Sequence, residues 1–151
     1  MKRFVFLGIG LVVTLVFLAL TYSQNCNILE MFYFNQGFND QLYNLSVYPM
    51  VGIIVAGLAW GGAAVYYYAI NSVNFDRWYH WAGVLAIVTL LAPIVCYFFI
   101  NGVLRDNGLD YGGESVQFVM QLFIMTALLF VVASFSMRWW STNCRHTPIP
   151  Q

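Results

Sequence analysis

The polar side chains best placed to do chemistry within this apolar chain are Glu114, Gln117 and Gln121. They recur at helical spacing and would form one polar stripe along a helix. Because a side-chain amide that faces lipid tails is costly, we expect the stripe to face protein. There it would either hydrogen-bond to neighbouring helices or line a polar vestibule.

The histidines and cysteines lack the spacing of a metal or redox site. His80 and His146 lie in different segments, so they are not expected to share a haem or a metal ion. Cys144 and His146 are two nearby ligands without the second pair that a structural zinc site needs. The sequence has no Cys-x-x-Cys motif, no catalytic grouping, no phosphate-binding loop and no basic stripe for nucleic acid. It therefore predicts no cofactor, no metal, no catalytic residue and no nucleic-acid partner.

Four long apolar segments must position these residues. They cover residues 4–22, 49–70, 81–103 and 116–137, and none contains Asp, Glu, Lys or Arg. A helix of about 20 apolar residues is long enough to cross the hydrocarbon core of a bilayer. With 61% hydrophobic and 8% charged residues, the chain is predicted to be an all-α integral membrane protein. Short connections predict one domain over residues 1–151, with four transmembrane helices in an up-down-up-down bundle.

The basic residues indicate how these segments are oriented. Of the six, Arg105 lies between the third and fourth segments. The other five lie near the termini or between the second and third segments. Those five are Lys2, Arg3, Arg77, Arg138 and Arg145. The positive-inside rule predicts that both termini are cytoplasmic, with the loops at about residues 23–48 and 104–115 outside. We expect the first segment to be retained as a signal anchor, and the location to be a bacterial inner (plasma) membrane.

The second segment carries two pairs of small residues that suit close helix packing. Gly57 and Gly61 form a GxxxG pair, and Ala59 and Ala63 form a second pair on an adjacent face. These faces would contact either other helices of the same bundle or another subunit. Two such faces favour more than one neighbour.

A proline interrupts the third segment. Pro93 has no backbone N–H to donate to the carbonyl of Thr89. We therefore expect a kink near the middle of the bilayer.

The first outer loop, residues 23–48, combines aromatic with amide side chains. Phe34, Phe38 and Leu42 recur every four residues, which predicts a short amphipathic helix. This helix would lie on the outer leaflet or against a partner. Aromatic and amide groups could alternatively stack on and hydrogen-bond to a glycan.

The cytoplasmic tail, residues 138–151, is the other candidate contact surface. Its side chains suited to docking are Arg138, Trp139, Trp140, Arg145 and His146. The proline-rich end should be extended, a shape that suits binding to a cytoplasmic protein. The alternative is a frayed chain end.

These features favour a non-catalytic scaffold, anchor or accessory subunit of a larger membrane complex. A bacterial inner-membrane secretion or envelope machine is one such setting. The expected partners are the lipid bilayer and other membrane subunits, or further copies of this chain. The first alternative is an oligomeric channel or small-molecule carrier, and the second is a membrane enzyme acting on lipid-like substrates.

Overall fold

Long runs of apolar residues fold into helices here, because a helix satisfies its backbone hydrogen bonds internally. The computed structural model describes residues 2–70 and 77–141, without the side chains of Lys2, Arg3 and Trp140. This part of the chain is helical and contains no β-strand. The helices are α1 (Lys2–Tyr22), α2 (Gln36–Asn44), α3 (Val47–Ala64), α4 (Trp78–Asp106), α5 (Gly112–Met120) and α6 (Leu122–Met137). A π-helix, Val65–Ile70, continues α3, and a 3-10 turn, Arg138–Trp140, follows α6.

Within the part of the chain that the structure describes, four stretches are long and apolar enough to cross a membrane, which agrees with the number of predicted spans. They are Phe4–Tyr22, Val47–Ile70, Trp78–Asp106 and Gly112–Met137, the last three slightly longer than the sequence predicted. Many large apolar side chains on their outer faces are exposed, such as Ile87, Phe98 and Leu128. Apolar outer faces are expected where lipid is the solvent, so the fold is consistent with a multi-pass membrane protein.

α3 and α6 form the centre of the bundle. They pack against each other, and each also packs against α1 and α4. The shared core includes large side chains with no exposed surface, among them Tyr66, Phe118 and Phe130. α1 and α4 lie at the periphery, since smaller fractions of their spans are buried.

Three glycines allow the helices to approach closely, and none belongs to the predicted small-residue pairs. A Cβ atom added to Gly10 would collide with Ser136, one added to Gly52 with Thr21, and one added to Gly62 with Val88. These contacts join α1 to α6, α3 to α1, and α3 to α4. Tight helix crossings therefore occur at Gly10, Gly52 and Gly62.

Hydrogen bonds between side chains add to this packing. The indole N–H of Trp60 in α3 donates to Thr14 Oγ1 in α1 over 2.9 Å. The indole N–H of Trp81 in α4 donates to Ser134 Oγ in α6 over 3.2 Å. Such bonds between membrane helices contribute about 0.6 kcal/mol each on average.

Pro93 is buried within α4, which runs as one helix from Trp78 to Asp106, and the expected kink there stays a prediction. α5 and α6 are separated only by Gln121, whose φ of -67° and ψ of -25° are themselves helical. The fourth span therefore extends from Gly112 to Met137 as one stretch.

Candidate functional site

α2 forms as predicted, and its apolar side packs on this chain's own core. Asn35 caps the helix by accepting a hydrogen bond from the backbone N–H of Phe38. Phe38 and Leu42 are fully buried, whereas Phe34 precedes the helix and is 68% exposed. The Phe38 ring lies 5.8 Å from that of Phe118 in α5, centroid to centroid. α2 therefore closes one end of the bundle, which we call the α2 end.

A polar cluster centred on Glu30 lies beneath α2. Glu30 Oε1 accepts hydrogen bonds from Asn39 Nδ2 at 3.2 Å and from the Tyr48 hydroxyl at 3.5 Å. Asn27 supports the same loop, because its amide donates to the Thr21 carbonyl and accepts from the Leu29 N–H. Asn39 and Tyr48 are buried, so their polar groups depend on these partners in place of water.

Gln121 joins this region from the fourth span. Its Nε2 donates to the buried Leu29 carbonyl over 2.7 Å. Gln117 is exposed, and Glu114 is partly buried. Gln121 therefore faces protein within the bundle, whereas Gln117 does not contact the core of this chain. The role of the three residues as one polar stripe stays a prediction.

Gln121→Leu is expected to lower the free energy of unfolding by about 1 kcal/mol, because the buried Leu29 carbonyl loses its donor. The loss is limited because Gln121 Oε1 is itself a buried acceptor without a hydrogen-bond partner among the described residues. Gln117→Leu is the matched control and should leave stability unchanged, since Gln117 is exposed. Chemical unfolding in detergent, followed by circular dichroism, measures both. Equal effects would contradict the assigned contact.

Tyr43 lies beside the Glu30 cluster, and its ring centre lies 4.6 Å from that of Tyr48, with the two ring planes tilted by 47°. Burial is the main cause that raises the pKa of Tyr43 above its ordinary value of 10.0; the nearby Asn27 side chain partly offsets it, and the Glu30 carboxylate adds to it. The folded state thus holds the Tyr43 proton more tightly than the unfolded chain does.

We expect Tyr43 to destabilise the fold as the pH rises above about 10, where the unfolded chain releases this proton first. Tyr43→Phe removes the titrating group. The melting temperature of the wild type should therefore fall further between pH 9 and pH 11 than that of Tyr43→Phe. Thermal unfolding in detergent measures both. An identical loss in both proteins would contradict a raised pKa at Tyr43.

The predicted small-residue pairs of α3 face in different directions. Ala59 and Ala63 are fully buried within the bundle. Gly57 and Gly61 are exposed, and a Cβ atom added to either would meet nothing within 4 Å. Gly57 also borders a groove of about 360 Å³ between α1 and α3. We call Gly57 and Gly61 the outer glycine pair.

The beginning of the predicted tail packs on this chain. Arg138 is 9% exposed, and its guanidinium lies 4.5 Å from the centre of the Trp139 ring. The Trp139 ring in turn stacks on Phe6 at 5.6 Å. Arg145 and His146 lie outside the described residues, as does the side chain of Trp140. The docking role assigned to these five residues stays a prediction.

Comparison of the chain with protein-family models, with curated proteins and with solved structures finds no match. Within residues 2–70 and 77–141, no three His, Cys, Asp or Glu side chains are grouped closely enough to hold a metal ion.

Sequence reasoning missed the Glu30 cluster, whose signal was one of two acidic residues, Glu30 and Asp40, within a loop rich in amides and tyrosines. It also missed Gly10 as a packing glycine. Gly52 and Gly62 belong to the run of small residues that favours close packing of the second segment, but the sequence did not single them out from that run.

Proposed function

We propose that this chain is a non-catalytic scaffold, anchor or accessory subunit of a larger membrane protein complex. The observation that carries the proposal is the exposure of the outer glycine pair, Gly57 and Gly61. The bundle makes its own close helix crossings at other glycines, so this pair is not used by the fold. A GxxxG face allows another helix to approach the backbone closely. The binding partner is therefore expected to be a transmembrane helix of another subunit.

The apolar surroundings of the pair support a contact within the membrane. Ile53 of α3 and Val65, the first residue of the π-helix that continues α3, follow the same spacing of four residues and are 55% and 51% exposed. The adjoining groove between α1 and α3 is lined almost entirely by apolar side chains, including Leu11 and Leu15. A helix that packed here would replace lipid contacts with denser protein contacts, and its backbone would already be satisfied by its own hydrogen bonds.

The proposed orientation places both termini in the cytoplasm and the α2 end outside. Five of the six basic residues flank the termini or the loop opposite α2, as the positive-inside rule requires of a cytoplasmic side. Contacts between helix ends support spans that alternate in direction. Phe6 near the start of α1 meets Trp139 after α6, and Thr21 at the end of α1 meets Gly52 near the start of α3. A bacterial inner-membrane secretion or envelope machine is the proposed setting.

The double variant Gly57→Leu/Gly61→Leu tests the proposal. Two leucine side chains would separate the helices, so we expect recovery of the partner to fall roughly tenfold, equivalent to about 1.4 kcal/mol. The tagged chain is purified from native membranes in mild detergent, and native mass spectrometry identifies the subunits that accompany it.

Gly83→Leu/Gly102→Leu is the matched control. These two glycines of α4 are also exposed, and an added Cβ atom would meet nothing within 4 Å. The control should retain the partner at the wild-type level. A wild-type chain that yields only a homo-oligomer, or a partner lost equally in both double variants, would contradict the proposal.

A further inference from the structure

A concave cavity opens at the α2 end, apart from the outer glycine pair. Its volume is about 420 Å³, which is within the range of small-molecule sites. It lies between the end of α1 and the connection from α2 to α3. Thr21 and Tyr48 form its buried wall, whereas Tyr22 and Gln24 lie exposed at its rim.

The wall of this cavity is held in place by neighbouring contacts. Thr21 packs against Gly52 where α1 meets α3. Tyr48 is fixed by its hydrogen bond to Glu30 and by its ring contact with Tyr43. A wall with such supports forms a largely preorganised surface, which reduces the entropy cost of binding.

The chemistry of the lining selects the class of ligand. Every polar residue that lines the cavity is uncharged, and each carries a hydroxyl or an amide: Thr21, Tyr22, Ser23, Gln24, Tyr43, Ser46 and Tyr48. The hydroxyls of Thr21 and Tyr48 donate to the Leu18 carbonyl and to Glu30, and that of Tyr43 is buried. The polar groups open to a ligand are therefore those of Tyr22, Ser23, Gln24 and Ser46. Hydroxyls and amides can both donate and accept hydrogen bonds, and tyrosine rings offer flat apolar faces. An anion would require basic groups or converging N–H donors, and a cation would require a carboxylate in the lining. A neutral ligand rich in hydroxyl groups fits this set best.

Ser46 adds a polar group at the rim in an unusual backbone conformation. Its φ of 53° lies in the left-handed region, where glycine or asparagine is the ordinary choice. The residue separates α2 from α3 and is exposed at the cavity. The left-handed turn therefore carries a hydroxyl group to the rim, where a glycine would leave none.

The position of the cavity relates it to the membrane surface. Tyr22 ends the first apolar span, and Tyr48 and Pro49 lie at the start of the second. A bilayer that covers both spans would place the cavity at the level of the lipid headgroups. We propose that the cavity binds a neutral saccharide group, supplied by a glycolipid headgroup or by a free sugar. This proposal goes beyond the scaffold function and stands without it.

Native mass spectrometry of the full chain tests the proposal. A polyoxyethylene detergent is used, because sugar-based detergents would compete for the cavity. The chain is incubated with equimolar monoglucosyldiacylglycerol, phosphatidylglycerol and diacylglycerol with the same acyl chains. We expect preferential retention of the glucosyl lipid. Equal retention of the three lipids, or preference for phosphatidylglycerol, would overturn the proposal.

Two rim variants locate the binding. Tyr22→Ala and Gln24→Ala should each weaken retention of the glucosyl lipid roughly 3- to 10-fold, as expected for the loss of one ring or one hydrogen bond. Both residues are exposed, so the fold should persist. Phe32→Ala and Gln36→Ala are the matched controls, since these exposed residues do not line the cavity. Rim variants that behave like the controls would overturn the assignment.

Competition with methyl β-glucoside distinguishes the two sources of the ligand. Displacement of the lipid by a comparable concentration of the free glucoside would support a site for free sugars. Retention of the lipid against an excess of glucoside would support a headgroup site that also uses the acyl chains.

Discussion

Gly62→Leu is expected to lower the free energy of unfolding of the bundle by roughly 1–3 kcal/mol. A Cβ atom at Gly62 would collide with Val88 of α4 and contact the ring of Phe130 in α6. Leucine adds three further carbon atoms, so α4 must move away from α3 or the side chain must adopt a strained rotamer. Thermal and chemical unfolding in detergent measure the loss.

Gly61→Leu is the control for this prediction. It makes the same change of residue one position earlier in α3, so the gain in helix propensity is the same. Gly61 is exposed, and an added Cβ atom would meet nothing within 4 Å. The stability of the isolated chain should therefore remain at or slightly above that of the wild type. A similar loss in Gly61→Leu and Gly62→Leu would contradict a rotation of α3 that turns Gly62 toward α4 and Gly61 away from the bundle.

Glu30→Ala is expected to destabilise the α2 end by roughly 1–3 kcal/mol, because two donors lose the carboxylate that accepts from them. Asn39 and Tyr48 are 2% and 0% exposed, so water cannot readily replace the lost acceptor. The loosened contact should release α2 from the bundle before the spans unfold. Hydrogen exchange of the α2 backbone amides measures this local opening, and thermal unfolding measures the global effect.

Asp40→Ala provides a control with the same change of charge. Asp40 lies next to Asn39 in α2 and is exposed. Its removal should change stability by no more than about 0.5 kcal/mol. Equal protection of the α2 amides in Glu30→Ala and wild type would contradict the role of the Glu30 cluster in holding α2.

The spans could be predicted from the sequence because hydropathy is a sum over neighbouring residues and needs no knowledge of the partner helix. The α2 helix was also predictable, since Phe38 and Leu42 recur with helical spacing. Whether its apolar side would face lipid, a partner or its own bundle depended on Phe118, which lies far along the chain. Only the folded structure shows that Phe38 packs on Phe118.

The direction in which a glycine faces could not be predicted from the motif alone. Gly61 and Gly62 are adjacent, yet one is exposed and the other lies in a helix crossing. The rotation of α3 that separates them is set by packing against α1, α2, α4 and α6. The GxxxG pattern identified a face suited to close contact but did not state which helix would occupy it.

The polar stripe shows a second limit of periodicity. Glu114, Gln117 and Gln121 recur at helical spacing, yet Gln117 is exposed and Gln121 is buried. The backbone of Gln121 is helical, so a change of helical register does not explain the difference. Its cause is tertiary, since Gln121 bonds to the carbonyl of Leu29, a residue in the first loop.

The most direct test of the proposed scaffold function is site-specific photocrosslinking in native membranes. A photoreactive residue replaces Ile53 or Val65, which flank the outer glycine pair and are about half exposed. The matched control replaces Ile87 on α4, which is 64% exposed. We predict that positions 53 and 65 crosslink to the same foreign membrane subunit, whereas position 87 does not. Crosslinks only to lipid or to further copies of this chain would contradict the scaffold function.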